Sequence, residues 1–319
     1  MAKQTINIGT SANDGTGSTL RAAFDITNDN FTELYDGTGG LLHKIEGTNF
    51  TGSLLIGHST TGTLSSAQNN TGIGIGALDA LTSGDDNVAV GKAAGGAITT
   101  GGSNIAIGRN AGDAITTGSF NIAVGAYALT VEDTGSRSIA IGYAALENQN
   151  NDSDNYNVAI GHNAGKQVTT GNENVLIGGL AGDALTTGVR NIAIGHEALT
   201  SEDTYGGSTA VGYRALQDQN ASANPFNTAV GWEAGKNVST GVNNTIIGGQ
   251  AGDALTTGSN NIVIGYNATA SAVDVSNEVT IGDSNIANVR IPADSTLKIG
   301  VSGDLQLEHL SSNSFIKNT

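Results

Sequence analysis

The residues able to do chemistry in this chain come in evenly spaced copies. Asp113, Asp183 and Asp253 stand 70 residues apart, and Glu132 with Asp133 returns at the same interval as Glu202 with Asp203. Hydrolysis of a glycosidic bond needs two carboxyl groups roughly 5 to 9.5 Å apart across the bond, and calcium needs six to eight oxygens converging on one ion. An adjacent pair such as Glu132 and Asp133 points to opposite sides if it lies in a strand, so these groups read as solvated or turn-forming carboxylates, with calcium ligation as the alternative. Two hexapeptides, GHNAGK at 161–166 and GWEAGK at 231–236, approach a phosphate-binding loop. They are one residue short of it, and no Ser or Thr follows either lysine. His43, His58, His162, His196 and His309 lack close metal-ligand spacing, and the absence of Cys excludes disulfides and thiolate sites. No catalytic residue, metal or cofactor is expected.

Aromatic residues offer a different chemistry. Tyr213 and Trp232 can present a stacking surface for sugar rings, and Tyr156 and Phe226 end two polar stretches, ENQNNDSDNYN at 147–157 and QDQNASANPFN at 217–227. These four are the candidate receptor contacts, against the plainer readings of scattered surface aromatics and solvated bulges. TTG triplets at 99–101, 116–118, 169–171, 186–188 and 256–258 suggest the threonine arrays that bind ice, but they are interrupted.

All of these groups ride on an internal repeat. A unit whose commonest form is N-[IV]-A-[IV]-G recurs along the middle of the chain, and its final glycines from Gly76 to Gly282 are spaced 15, then 17 or 19 residues apart. Three steps of 17 and one of 19 make 70, and AGDAITTG at 111–118 returns at that interval as AGDALTTG at 181–188 and 251–258. Each unit reads as one coil of a β-solenoid, with Ile105 and Ile107 pointing inward around Ala106 and Gly108 making the turn. The other face of the strand would then be small and apolar, at Ala106, Ala123, Ala140, Ala193 and Ala210. That surface suits close approach by another copy, so a homo-oligomer is expected. Equivalent carboxylates four coils apart would lie about 19 Å from each other, too far to share one bond.

Composition supports thin layers rather than a thick core. Of 319 residues 47 are Gly and 2 are Pro, aromatics are 4% and charged residues 13%. The formal charge of -16 repels nucleic acid and anionic membrane. The opening MAKQTINIGTSANDG lacks the apolar run of a secretory signal or a membrane span, so no membrane insertion is expected.

The units from about residue 54 to 282 resemble the head repeat of trimeric autotransporter adhesins. That resemblance implies a left-handed parallel β-roll, three chains packed side by side, and the extra residues here bulging as loops. A second resemblance lies upstream. INIGTSANDGTGSTLRAAFDITNDNFTELY, from Ile6 to Tyr35, is similar to the opening of baseplate-wedge and fibre proteins of tailed phages, which implies attachment to a virion. Within it Leu20, Phe24, Thr27, Phe31 and Leu34 are spaced 4, 3, 4 and 3, the spacing of a coiled-coil core. Three helices meeting on the fibre axis are expected, or else one helix folded on its own strand. GDLQLEHLSSNSFIKN at 303–318 is similar to an element near the distal ends of phage fibres, many of which continue into a self-cleaving chaperone domain that does not follow here.

The expected organisation is all-β: a virion-attachment segment with a short helix at 1–40, a linker at 41–53, a β-roll shaft at 54–283 and a small distal β segment at 284–319. The expected function is a non-enzymatic, trimeric fibre of a tailed bacteriophage virion, docked through its N-terminus to other virion proteins and adhering to a host-surface glycan or protein. The alternatives are a purely architectural baseplate or head component, a trimeric bacterial surface adhesin, and a polysaccharide-degrading tailspike.

Overall fold

The computed structural model describes residues 43–47, 50–56 and 64–286. Residues 1–283 and 284–319 are two compact units. The expected helix of Leu20, Phe24, Phe31 and Leu34 lies outside the described residues, as does nearly all of the distal segment. Among the described residues the regular structure is all β, with no helix.

Strands β1 (His43–Gly47) and β2 (Phe50–Ile56) form an antiparallel pair where the sequence reading placed a linker. β3 (Ala67–Gln68) pairs with β2, and β4 (Thr71–Ile73) begins a regular parallel stack. β5 to β16 follow at Val88–Val90, Ile105–Ile107, Ile122–Val124, Ile139–Ile141, Val158–Ile160, Val175–Ile177, Ile192–Ile194, Thr209–Val211, Thr228–Val230, Thr245–Ile247, Ile262–Ile264 and Val279–Ile281. From β4 onward each strand bonds the next in sequence, which is a parallel β-solenoid. Register is constant: Ala106 pairs with Ala123 across a 17-residue coil, and Ala140 with Ala159 across a 19-residue one. Ile73 pairs with Val90, so the first turning glycine of this stack is Gly74 rather than Gly76, and the apparent step of 15 is a full step of 17.

The strands alternate as expected, but with the opposite phase. Ala106, Ala123, Ala140, Ala193 and Ala210 are inside the coil and buried, so they cannot form a surface for a second copy. The flanking Ile and Val face outward; Ile107 keeps 38% of its surface exposed and Ile264 the same. The reason is room. Each strand alanine shares its layer with a second buried alanine three residues after the turning glycine, such as Ala111 or Ala128, which leaves space for little more than one large side chain. That side chain stands at the fourth residue after the glycine in some coils (Leu129, Leu146) and at the seventh in others (Ile98, Ile115), where the fourth is Gly. Where a strand carries Leu176, glycines lie beside it: a Cβ on Gly165 would come within 2.6 Å of the Leu176 side chain, and one on Gly182 within 2.8 Å.

A buried column of asparagines, the first residue of the repeat unit, joins coil to coil. Asn87 Oδ1 accepts the backbone N–H of Asn104 (3.0 Å), and Asn104 Oδ1 accepts that of Asn121 (3.0 Å). Their amide nitrogens donate to the carbonyls of Gly101 and Gly118, both at 2.9 Å. One side chain thus satisfies backbone groups at two corners of the following coil, groups that secondary structure leaves unpaired.

Every fourth coil is longer for a reason visible in this column. Ser138 and Ser208 replace Asn, and the seventh position turns polar, as Glu132 then Gln149 and Glu202 then Gln219, all buried. Gln149 Nε2 donates to Ser138 Oγ (2.9 Å) and Glu132 Oε2 (2.9 Å), and Gln149 Oε1 accepts from Asn157 Nδ2 (2.8 Å). The two added residues enlarge the loop that closes over the glutamate, supplying Asn155 Nδ2 to Glu132 (3.1 Å) and the Ala221 N–H to Glu202 (3.4 Å). The turning glycines are equally constrained. Gly161 has φ +144, and a Cβ there would meet Gly178 O at 2.4 Å.

Replacing Asn174 by Ala leaves the Asn191 N–H and the Gly188 carbonyl without their partners. The expected loss is about 1–3 kcal/mol for each orphaned group, read from denaturant unfolding followed by circular dichroism. A change below about 0.5 kcal/mol, the range of ordinary surface substitutions, would remove the column from its place in the fold.

Candidate binding faces

The outward Ile and Val side chains form two parallel columns, one at each end of the three-residue strands. The second is apolar throughout β5 to β16, from Val90 to Ile281. The first turns to Thr at Thr209, Thr228 and Thr245. Neighbouring branched side chains on a parallel ladder leave a continuous apolar surface, of a kind monomers seldom keep exposed.

Two further columns border this face. One precedes the asparagine column and holds residues in the left-handed region, among them Phe120 (φ 62), Tyr156 (φ 51) and Phe226 (φ 47). Arg137 lies 5.4 Å from the Phe120 ring centre and 5.9 Å from that of Tyr156, and is ion-paired with Asp154. The other follows the turning glycine and holds Tyr143, His162, His196, Tyr213 and Trp232. Tyr213 and Trp232 stack with centroids 6.1 Å apart and planes at 12°, and His196 stacks on Tyr213 at 5.9 Å and 17°. Tyr143 and His162 repeat the arrangement at 5.3 Å and 12°. The four candidate contacts therefore fall into two groups. Tyr213 and Trp232 come together, while Tyr156 and Phe226 sit across the strands from them, on the other column.

The remaining chemical candidates find structural partners. Lys166 and Lys236, the ends of the phosphate-loop look-alikes, pair with Glu147 (3.2 Å) and Glu233 (3.4 Å). The threonine hydroxyls of the TTG triplets are partly spent on the solenoid itself: Thr99 Oγ1 donates to Thr116 O (3.1 Å) and Thr169 Oγ1 to Thr186 O (3.2 Å). Among the described residues no group of three or more His, Cys, Asp or Glu can hold a metal ion. Asp113 takes a hydrogen bond from Asn110 Nδ2 (2.6 Å), while its other oxygen and one oxygen of Asp183 are buried without a partner.

Glu132 departs most from its sequence reading. It is fully buried rather than solvated, its Oε1 accepting the Gly135 N–H at 2.7 Å. The warning in the sequence was a charged residue at a seventh position that is otherwise mostly apolar. Burial raises its carboxyl above the ordinary 4.5, although the hydrogen bonds from Gln149 and Gly135 pull it down; burial likewise raises Asp113 and Asp183.

Comparison with protein-family models gives no match, and neither a curated protein nor a solved structure is significantly similar to the chain.

A raised carboxyl means that the folded state holds its proton more tightly than the unfolded chain does. The stability tied to Glu132 is thus fully present below pH 4.5 and is lost as pH rises through the raised value. From pH 4.5 to 7 the melting temperature of the native protein should fall more steeply than that of Glu132→Gln. Parallel pH profiles would show that the buried carboxyl does not titrate in this window.

Proposed function

We propose that this chain is the structural subunit of a trimeric, non-enzymatic fibre of a tailed bacteriophage virion, docked through its N-terminus and adhering to the host surface along its solenoid. The observation that carries the oligomer is the outward Ile and Val face, which extends along β5 to β16 and which no other described residue covers. The buried alanines are replaced in that role by residues such as Ile107, Ile141, Ile160 and Ile194. Identical chains aligned side by side bring identical columns together, so a short apolar strip repeated coil after coil gives an extended interface. Attachment to a virion rests on the likeness of Ile6 to Tyr35 to phage baseplate and fibre openings. Adhesion rests on the exposed aromatic columns, whose weak contacts add through the copies in a trimer and on a particle.

Light scattering with electron imaging should give a mass three times that of the 31.9 kDa chain. Ile107→Asn combined with Ile160→Asn should lower that mass while leaving the β circular dichroism signal in place, because those side chains face out. A monomeric native protein would overturn the trimer. Antibodies against the solenoid should label a projection on intact virions; labelling of bacterial surfaces instead would favour the adhesin reading.

A further inference from the structure

The glycine-following corner of the solenoid has the chemistry of a sugar-binding surface. Sugars offer apolar C–H faces rimmed by hydroxyls, and a matching surface offers ring faces rimmed by planar hydrogen-bonding groups. His196, Tyr213 and Trp232 supply the rings. Their centroids are 5.9 and 6.1 Å apart, more than the roughly 4.8 Å between coils, so they are offset, and Trp232 keeps 50% of its surface exposed. Gly179 and Gly249 add to this. A Cβ on Gly179 would meet the His196 ring at 3.2 Å, and one on Gly249 would meet Tyr266 at 3.5 Å, so these rings lie against bare backbone.

The rim is polar and pre-ordered. Glu197 accepts from Arg214 Nε (2.5 Å) and Gln217 Nε2 (3.2 Å), and the Arg214 guanidinium sits 4.9 Å from the Tyr213 ring centre. Glu233 is paired with Lys236. Such fixed pairs offer hydrogen bonds without an uncompensated charge. Of the seven Lys and Arg between residues 64 and 286, five lie on this corner: Lys92, Arg109, Lys166, Arg214 and Lys236. Three of them are paired with carboxylates, Lys166 with Glu147, Arg214 with Glu197 and Lys236 with Glu233, in a chain of formal charge -16. A neutral ligand fits best.

Spacing completes the case. Tyr143 with His162 and Tyr213 with Trp232 occupy one phase of the 70-residue period, four coils or about 19 Å apart. The coil spacing is close to the length of one pyranose in an extended glycan, so a repeating polymer laid along the corner meets rings at successive coils within each cluster, with Gly179 between the two, and meets both clusters in register. We infer that this corner binds neutral glycan chains through His196, Tyr213 and Trp232, with Tyr143 and His162 as a second subsite. The inference rests on the adhesive reading above and names the class of its ligand.

Trp232 is the chain's one tryptophan, so its emission reports on this site alone. Intact protein titrated with cello-, malto-, manno- and chito-oligosaccharides should show a saturable change in Trp232 fluorescence with at least one series. Tyr213→Ala, which keeps the reporter, should weaken that binding about tenfold. Tyr156→Ala, across the strands, should leave it unchanged. No response to any series, or equal binding by Tyr213→Ala, overturns the inference. So does a fall in mass of Tyr213→Ala, because the rings would then be contacts between chains. A trimer that labels virions but whose tryptophan stays silent loses only the glycan site; a native monomer loses the fibre.

Discussion

Most coils of this solenoid entrust part of their backbone to an asparagine of the coil before. The side chain accepts the next strand's opening N–H and donates to the carbonyl at the next coil's far corner, as Asn104 does with Asn121 and Gly118. A coil this thin has little core, so the amide column is what allows its corners to be buried at all. It also imposes register. Only a neighbour with its own strand start beside the amide completes the bonds, so constant pairing follows from Thr71–Ile73 to Val279–Ile281.

The core is arranged around that column by volume. Alanine pairs keep the coil thin, and the large apolar side chain stands either at the seventh position with glycine at the fourth, or at the fourth with Glu132, Gln149, Glu202 or Gln219 at the seventh. Glu132 and Glu202 interrupt this pattern. Their burial is tolerable because Gln149 and Gln219 rebuild the hydrogen bonds that Ser138 and Ser208 cannot make, and because the lengthened loop brings further donors. Period, loop length and buried charge are one feature seen three ways.

Once the interior is filled by small residues, the branched ones have to face out. The result is a surface with an apolar strip flanked by aromatic columns. This division suits a protein that associates through one face and contacts other molecules beside it. Glycine-rich hexapeptides and threonine triplets take part in turns and coil-to-coil bonds.

The solenoid was legible in the sequence, because a period of 17 broken regularly by 19 and an alternating strand in each unit fit one short coil per repeat. Sequence also determined that the positions holding Tyr213 and Trp232 stay out of the core, since no buried site tolerates Lys, Arg, His, Tyr and Trp in turn. Which side of each strand faces inward was decided only by the tertiary structure. Alternation in Ile105–Ile107 is the same for either phase, and the usual preference for burying the larger side chain yields to the narrow cross-section of the coil. Tertiary structure also decided that Gly74 rather than Gly76 is the turning residue, since TGIGIG offers both. The fate of Glu132 was likewise beyond the sequence, because its partners stand 17 and 23 residues away and meet it only when the coils stack.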